Sequence, residues 1–345
     1  MSRIKAVRIH GFGGNEVLRI DEVEPSMPDA TEILIKVRAA SVNPVDYKIR
    51  SGKYPAVKED RLPYTLGRDA SGIVEICGAS ADKFKIGDEV FGIVGIHGGG
   101  YAQKTVMAQD AVAAKPANLD HVHAAAVPLA GQTAWQGLFR YGGLKAGQRI
   151  LIHGGAGGVG HFAIQFAKVK GAHVTTTVST DHVEFARSLG ADLVIDYKKQ
   201  AFEQVARDMD MVFDLIDGET RQRSWGVLKK GGILVSTLSE PSQELARQYG
   251  VRAMRYTVQA NGEELTEIAT LLEEAKVKPV VSQNFPLERA ADAFERKPAR
   301  DLIRGGHSHG AGLSIAMMAS TSTRGRTTAY WWSLTRTSGT SARVL

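Results

Sequence analysis

The sequence predicts an α/β protein that combines a β-rich barrel with a doubly wound parallel sheet. Three observations support this prediction. Residues 4 to about 115 hold short apolar or alternating runs between turn-forming residues, with few helical patterns. Residues 147 to about 258 instead repeat the order strand, turn, helix, which is typical of a parallel sheet. A glycine-rich turn separates the first strand of this second part from its first helix.

The first part of the chain contains five segments that predict strands. Each has period-two alternation or a continuous apolar run, and each is bounded by Gly, Pro, Asp or Asn. Many short strands with few helices predict a compact, partly open barrel. The segments are IKAVRIHGFGG, EILIKVRAASV, SGIVEICG, DEVFGIVG and KTVMAQDAVAAKP.

A helical segment marks the predicted junction between two domains. Over residues 122–141 small apolar residues recur at helical spacing, and Pro128 begins a second helical stretch. A chain of 345 residues is long enough for two domains. We expect residues 1–122, completed by 262–300, to form the first domain and residues 123–261 to form the second.

The second part alternates apolar strands with helices of about ten residues, as βαβ crossovers require. The predicted strands are RILIHG, HVTTTVS, DLVIDY, MDMVFDLIDG, GGILVSTL and VRAMRYTV, and two of the predicted helices are VGHFAIQFAKVKG and DHVEFARSLG. The segment NGEELTEIATLLEEAKVKP predicts a helix with an apolar face. The residues on that face are Leu265, Ile268, Leu271 and Leu272. The segment VVSQNFPLERAADAFERKPA follows and predicts a strand and a short helix.

After Arg300 the periodic pattern stops. Residues 314–341 are rich in Ser and Thr and contain no acid. We therefore expect residues 301–345 to be an atypical tail that lacks a closing strand, and we assign it no function. This tail carries five arginines and one acid, which is +4 of the total +6, so the basic charge does not predict a nucleic-acid surface.

Composition excludes several other classes of protein. The 43% apolar and 23% charged residues fit a folded soluble chain. Cys77 is the only cysteine, which excludes an intramolecular disulfide and fits a reducing compartment. No apolar run is long enough for a signal peptide or a membrane span. We expect a cytoplasmic protein with no membrane partner.

The glycine turn is the strongest functional signal. Gly155, Gly157 and Gly160 fit G-x-G-x-x-G directly after a predicted strand and at the start of a predicted helix. The first glycine allows a tight turn, the second lets the backbone approach a diphosphate, and the third lets helix pack on strand. This context predicts a Rossmann dinucleotide-binding domain. The predicted contacts are Gly155, Ala156, Gly157, Gly158, Val159 and Gly160.

The end of the next strand bears on which dinucleotide binds. A carboxylate there would accept hydrogen bonds from the ribose 2′-OH of NADH and repel the 2′-phosphate of NADPH. Thr177 and Ser179 occupy that region, with His182 or Arg187 as partners for a phosphate, so we expect NADPH. Asp181 is the counter-candidate that would favour NADH, although it lies past the strand, where it would cap the following helix.

Several further motifs occur in a fixed order along the chain. They are AASVNPVD at 39–46, RSGKYP at 50–55, GRDASG at 67–72, KIGDEVFG at 85–92, GQTA at 131–134, the glycine turn, and LGAD at 189–192. Together they resemble the medium-chain dehydrogenase/reductase superfamily, specifically its zinc-independent quinone oxidoreductase-like branch, from about residue 4 to 298. The resemblance implies a GroES-like barrel domain, a Rossmann domain, and a closing strand after Arg300 that we do not find in the sequence.

The resemblance also bears on metal binding. Zinc members of the superfamily place a cysteine where Asn43 stands and a His-Glu pair where Arg68 and Asp69 stand, and they carry four clustered cysteines elsewhere. A zinc site needs three or four thiolate, imidazole or carboxylate ligands. With Cys77 alone, we expect no zinc, and we read His121 and His123 as a pair without a third ligand.

Without a metal, hydride transfer from NADPH favours acceptors that need little electrophilic help, such as quinones and α,β-unsaturated carbonyls. The resemblance implies that Tyr54 faces the nicotinamide as hydrogen-bond donor and proton source. It also implies that Asn43 and Asp46 position cofactor and cleft, and that Thr133 contacts the cofactor. The alternative for Tyr54 is a half-buried loop aromatic beside Pro55.

Two other functions stay open on the sequence. One is a zinc-type alcohol dehydrogenase-like protein, which would retain metal after chelation. The other is a non-catalytic nucleotide-sensing or RNA-binding protein of the same fold, supported only by the basic tail. The resemblance further implies a homodimer, and the strand VRAMRYTV would be the exposed edge of the dinucleotide sheet.

Overall fold

The computed structural model describes residues 2–296 and 314–318. The strands are β1 Ile4–Ile9, β2 Leu18–Val23, β3 Glu32–Val42, β4 Tyr64–Thr65, β5 Asp69–Cys77, β6 Glu89–Ile93, β7 Lys104–Ala108, β8 Val112–Ala114, β9 Arg149–His153, β10 His173–Val178, β11 Leu193–Asp196, β12 Met209–Asp214, β13 Leu228–Ser236, β14 Arg252–Arg255, β15 Val281–Pro286 and β16 Ser314–Met318. The helices are α1 Pro44–Arg50, α2 His121–Ala125, α3 Pro128–Trp135, α4 Gly160–Val169, α5 Val183–Ser188, α6 Gly218–Ser224, α7 Gln243–Tyr249, α8 Gly262–Glu273 and α9 Ala290–Arg296. In the part of the chain described, no helix is long and apolar enough to cross a membrane.

The β-rich part is organised around β3. This eleven-residue strand coincides with the predicted segment EILIKVRAASV, and it pairs antiparallel with β5 and β7. The larger barrel sheet has the order β15-β16-β3-β5-β6-β8, and a smaller sheet has the order β2-β1-β4. Ile33, Ile35 and Val37 are buried together with Val90 and Val112 of the facing strands. The alternating apolar pattern of the sequence therefore forms the core of the barrel, as predicted.

Strand β16 corrects our expectation that no strand follows Arg300. It runs parallel to β15 and antiparallel to β3, so that Ile315 pairs with Val42 and Met318 with Ala39. The strand has five residues between segments rich in Gly, Ser and Thr, which is too short for a sequence period to emerge. Its pairing with β3 and β15, rather than its own pattern, specifies it. The rest of the predicted tail lies outside the described residues.

The second part of the chain forms a six-stranded sheet in the order β11-β10-β9-β12-β13-β14. All its strand pairs are parallel, which confirms the predicted doubly wound arrangement. Ile150 and Ile152 of β9 are fully buried with Phe162 and Phe166 of α4. The chain order reverses beside β9, where one half of the sheet leads to β10 and the other to β12. The crevice beyond the carboxyl ends of these strands is where ligands bind in such sheets.

Helices α2 and α3 connect the two parts, as predicted from residues 122–141. α3 begins at Pro128, whose fixed φ suits the first turn of a helix. It packs against α4 and against α8, where Leu265 and Ile268 are fully buried. The apolar stripe predicted for α8 thus holds the connecting helix on the parallel sheet.

Candidate active site

A cleft of about 1430 Å³ runs between the barrel and the carboxyl edge of the parallel sheet. It is lined by nine of the thirteen residues that the sequence analysis assigned to the site. The fold therefore brings the predicted coenzyme side and the predicted acceptor side into one cavity. The nine are Asn43, Tyr54, Thr133, Gly157, Gly158, Val159, Gly160, Thr177 and Ser179, and the four outside the lining are Asp46, Gly155, Ala156 and His182.

The glycine turn forms where β9 ends and α4 begins. Gly154 has a φ of +75°, in the left-handed region that favours glycine. A Cβ on Gly155 would overlap Thr176 Oγ1, and a Cβ on Gly160 would overlap the Gly154 carbonyl oxygen. Strand and helix therefore pack with no room for side chains at the first and third glycines.

The cleft side of the same turn is open. A Cβ on Gly157 would come no closer than 3.2 Å to the Gly154 carbonyl oxygen, and Gly157 and Gly158 line the cleft. Val159 and Gly160, at the N-terminus of the ten-residue helix α4, line it as well. A helix N-terminus with accessible main-chain amides attracts anions. These residues fit the diphosphate of a dinucleotide.

His161 holds the glycine turn from behind. Its Nδ1 lies 3.0 Å from the Gly157 carbonyl oxygen, and its Nε2 lies 3.4 Å from the Val280 backbone nitrogen. The first contact needs a proton on Nδ1 and the second needs a lone pair on Nε2, so the ring is neutral. Burial lowers the pKa of His161 to about 4, although the hydrogen bond that the ring donates to the Gly157 carbonyl opposes this shift. Gln165 supports the same junction through two hydrogen bonds with the backbone of Lys278.

At the end of β10, the Thr177 hydroxyl forms a hydrogen bond within the protein. Thr177 Oγ1 lies 3.1 Å from Nδ1 of the buried His153, whose Nε2 lies 2.9 Å from Ser224 Oγ. The Ser224 hydroxyl donates its proton to the Thr220 carbonyl, so it accepts a hydrogen bond from His153 Nε2–H. In this tautomer His153 Nδ1 carries a lone pair and accepts a hydrogen bond from the Thr177 hydroxyl. The Thr177 hydroxyl is therefore bonded to the interior, while Thr177 also lines the cleft, and its contact with a coenzyme stays a prediction.

Beyond Thr177, Ser179 lines the cleft and its hydroxyl contacts His182 Nδ1 at 2.9 Å. His182 itself lies outside the lining, so Ser179 stands between it and the cavity. Asp181 is exposed and also lies outside the lining, and Arg187 forms an ion pair with Glu184. No carboxylate is among the residues that line this end of the cleft.

On the barrel side, Asn43 precedes α1 and lines the cleft. Its backbone N–H donates to Asp46 Oδ2 at 2.8 Å, and the Tyr101 hydroxyl donates to the same oxygen at 2.7 Å. Asp46 is fully buried. Asp46 therefore positions Asn43 and the start of α1 from outside the lining of the cleft, and its role toward the cofactor stays a prediction.

Asp69 joins the barrel to the connecting helix. Its Oδ1 accepts hydrogen bonds from the backbone N–H and the hydroxyl of Ser41, at 3.1 and 2.7 Å. Its Oδ2 accepts from Asn43 Nδ2 and from the Leu129 backbone N–H, both at 3.3 Å. Burial raises the pKa of Asp69 to about 7, while the Ser41 hydroxyl opposes the shift and the charge of Asp46 adds to it.

Tyr54 lies beyond α1, half-buried against the apolar cluster of the barrel that contains Tyr47 and Phe294. It lines the cleft, and its hydroxyl has no hydrogen-bond partner among the described residues. A phenol hydroxyl can donate a hydrogen bond to a ligand in the cleft. The position fits the role that the resemblance implied.

Two glutamines of the connecting helix hold another wall of the cleft. Gln132 Oε1 accepts from the Asn261 backbone N–H at 2.9 Å, and Gln136 exchanges hydrogen bonds with both the N–H and the C=O of Gln259. The Tyr256 hydroxyl donates to the Thr133 carbonyl. These bonds fix residues 256–261, several of which line the cleft.

Several residues that line the cleft were not predicted from the sequence. Tyr197 follows β11, and Thr237 and Leu238 follow β13, so all three lie at the carboxyl edge of the sheet. The rule that ligands bind at this edge would have identified them. Arg68 and Arg255 also line the cleft, and no local pattern distinguishes them from surface arginines.

The candidate metal pair occupies a different environment. His121 contacts Ser71 Oγ at 2.8 Å and Glu89 Oε1 at 3.3 Å, and His123 contacts Asp120 at 2.7 Å. Within residues 2–296 and 314–318, no three His, Cys, Asp or Glu side chains are grouped so that they could hold a metal ion.

Comparison with known families gives two matches. Residues 29–117 match the alcohol dehydrogenase GroES-like domain, and residues 189–300 match a family described as zinc-binding dehydrogenase. Both lie in the expected order, so the first match covers most of the barrel strands and the second begins within the parallel sheet.

Individual proteins resemble the chain over most of its length. It is 39% identical to 2-methylene-furan-3-one reductase of Solanum lycopersicum over 85% of this chain and 76% of the relative. It is also 39% identical to the chloroplastic NADPH-dependent alkenal/one oxidoreductase of Arabidopsis thaliana, over 84% and 75%. Among solved structures, the quinone oxidoreductase from Coxiella burnetii is 35% identical over 92% of this chain and 99% of its own, with a TM-score of 0.80.

The neutral state of His161 predicts a loss of stability in acid. In the unfolded chain His161 binds a proton near pH 6.5, whereas in the folded protein it does so only near pH 4. The contribution of neutral His161 to the free energy of unfolding is therefore complete above pH 6.5 and is lost as the pH falls from 6.5 toward 4. Relative to a His161→Gln variant, the wild type should lose about 2 kcal/mol of unfolding free energy between pH 7 and pH 5. Urea titrations at both pH values measure this difference. The exposed His173→Gln serves as control and should keep the wild-type slope; an equal slope for His161→Gln would contradict the assignment.

Proposed function

This chain belongs to the zinc-independent, quinone oxidoreductase-like branch of the medium-chain dehydrogenase/reductase superfamily, and we propose that it reduces a quinone or an α,β-unsaturated carbonyl with NADPH. The relatives named above are reductases of enones and alkenals and a quinone oxidoreductase. The chain is accordingly an oxidoreductase with a nicotinamide cofactor and a small-molecule substrate. A cytoplasmic location stays a prediction.

One observation carries the proposal. The glycine turn and the Asn43–Tyr54 wall face the same cavity, which is large enough for a dinucleotide and a small acceptor together. A cleft between a dinucleotide-binding sheet edge and a second domain places the two reactants side by side and excludes water from them.

Different residues of the cleft have different roles in the proposed reaction. When bound, NADPH supplies a hydride to the electrophilic carbon of the acceptor. Tyr54 supplies the proton that completes the two-electron reduction, since its hydroxyl lines the cleft without another partner. Asn43 lines the cleft, and its hydrogen bonds with Asp46 and Asp69 fix the barrel wall on the acceptor side.

Three features support NADPH over NADH. Ser179 and Tyr197 line the adenosine end of the cleft as hydroxyl groups that would accommodate a phosphate. The carboxylate that would select NADH, Asp181, lies outside the lining. The imidazole of His182 contacts the Ser179 hydroxyl and adds a further polar group near this end of the cleft.

An acceptor screen tests the function. We expect the full chain to oxidise NADPH in the presence of quinones or enones, with a kcat/KM at least about tenfold higher for NADPH than for NADH, the discrimination that one charged contact provides. Absorbance of the reduced coenzyme at several acceptor concentrations measures both quantities. Binding of the coenzyme without turnover over the whole panel would support a sensing role instead, and a preference for NADH would overturn the coenzyme assignment.

Tyr54→Phe tests the proton donor. Loss of the hydroxyl should lower kcat about 10²-fold or more with an enone, since positioned proton transfer contributes on that order. The KM for NADPH should change little, because Tyr54 lies on the barrel wall. Steady-state kinetics with one quinone and one enone measure the effect, and Tyr249→Phe, on the exposed face of α7, is the control. Unchanged turnover with both acceptors would leave Tyr54 as a packing residue.

We also propose a homodimer formed through β14. This strand pairs with β13 on one side, and the other edge has no strand partner among the described residues. Exposed strand edges of parallel sheets are normally paired or covered. Sedimentation equilibrium should give twice the mass of one chain at micromolar concentration. A monomer at every concentration would rule out this assembly.

A further inference from the structure

The barrel wall of the cleft carries unneutralised positive charge. Four basic side chains from this wall line the cavity, and Arg255 faces them from the end of β14. The four are Lys48, Lys53, Arg61 and Arg68. None of the five lies within 4 Å of a carboxylate oxygen of the described chain. By contrast, two other lining cations, Arg8 and Lys104, form ion pairs with Asp21 and Glu75.

Two of these cations, Lys48 of α1 and Arg255 of β14, come from the two parts of the chain that form the cleft. Burial lowers the pKa of Lys48, and the charge of Arg255 lowers it further. Like charges that approach one another in a partly dry cavity repel unless an anion lies between them. The acids that do line the cavity, Glu24, Asp29 and Glu32, belong to the β2–β3 connection and the start of β3.

Arg68 is the member of the set with a partly buried guanidinium and no carboxylate partner among the described residues. Its Nη1 atom is buried and has no hydrogen-bond partner among the described residues. The Tyr64 hydroxyl donates to the Ile96 carbonyl at 3.1 Å. Burial raises the pKa of Tyr64, although the charge of Arg68 and a hydrogen bond with Arg68 oppose the shift, so Tyr64 stays neutral and gives Arg68 no counter-charge. A partly buried guanidinium charge without a carboxylate partner costs free energy in the unliganded protein, and an anionic ligand in the cleft would reduce that cost.

We propose that this part of the cleft binds an anionic acceptor, a quinone or enone that carries a carboxylate, through the Arg68 guanidinium. The inference rests on the proposed function and specifies its substrate class. The planar fork of arginine matches the two oxygens of a carboxylate. The surrounding lysines and arginines raise the local concentration of such an acceptor. The neighbouring Asp69 belongs to the network that holds Asn43, so the charge lies on the chain segment that also organises the reacting end.

The test compares an acid with its ester. The probes are 4-oxopent-2-enoate and its methyl ester, assayed with the full chain and saturating NADPH. In the wild type the KM of the acid should be the lower one. Arg68→Gln should raise the ratio of acid KM to ester KM about tenfold or more, as expected for loss of a charge-assisted pair. The same ratio in Arg68→Lys should lie between the wild-type value and the Arg68→Gln value, since lysine keeps the charge and loses the planar pair of donors.

Lys104→Gln is the matched control, because Lys104 lines the same cavity with its charge already paired to Glu75. It should leave the ratio at the wild-type value. An unchanged ratio in Arg68→Gln overturns the proposal. A rise in the KM of NADPH that is equal with both acceptors also overturns it, because the cation would then serve the coenzyme.

Two further measurements separate this proposal from the proposed function. If neither probe is reduced, binding can be measured without turnover. Calorimetry on protein saturated with NADP⁺ then gives the dissociation constants of the saturated acid 4-oxopentanoate and of its methyl ester, in the wild type and in Arg68→Gln. Tighter binding of the acid that is lost in Arg68→Gln supports the subsite, and equal binding of acid and ester overturns it. If Arg68→Gln does not fold, added salt should raise the KM of the acid alone in the wild type; equal salt effects on both probes overturn the proposal.

Discussion

The buried carboxylate of Asp69 is the interaction on which the cleft depends. It begins β5 of the barrel and accepts hydrogen bonds from Ser41, Asn43 and the N-terminal turn of α3. The barrel and helix α3 meet at that point, so one side chain joins the Asn43 side chain of the barrel to the helix that packs against α4 of the parallel sheet. A carboxylate at a helix N-terminus is electrostatically favourable, which offsets part of the cost of its burial.

The coenzyme wall is held by a second set of buried polar groups. His161 and Gln165 connect the glycine turn and α4 to residues 278–280, which lead into β15 of the barrel sheet. Gln132 and Gln136 do the same for the segment after β14. Each of these side chains satisfies main-chain groups of a connecting segment that has no strand partner there. Side chains of α3 and α4, together with Gln136 directly after α3, thus fix these walls of the cavity.

Much of the fold follows from local pattern. The strand at 32–42 and the break at Pro128 are readable because burial and backbone chemistry act over a few consecutive residues. The site is less readable. The spacing of the glycines predicts the turn, but whether Thr177 faces the coenzyme or His153 depends on a side chain 24 residues away. Arg68 has the same limitation, because its lack of an acid partner is a property of the assembled cavity. Strand β16 is specified by its neighbours in the sheet.

The place of β16 also constrains how the molecule is made. It lies between β3 and β15, yet it is synthesised more than 270 residues after β3. The nucleotide-binding sheet, whose strands all lie between residues 149 and 255, can assemble while the ribosome is still extending the chain. In the barrel, the edge of β3 that pairs with β16 stays unpaired until residues 314–318 have been synthesised. During that interval the nascent protein exposes a strand edge that a chaperone would have to shield from other chains.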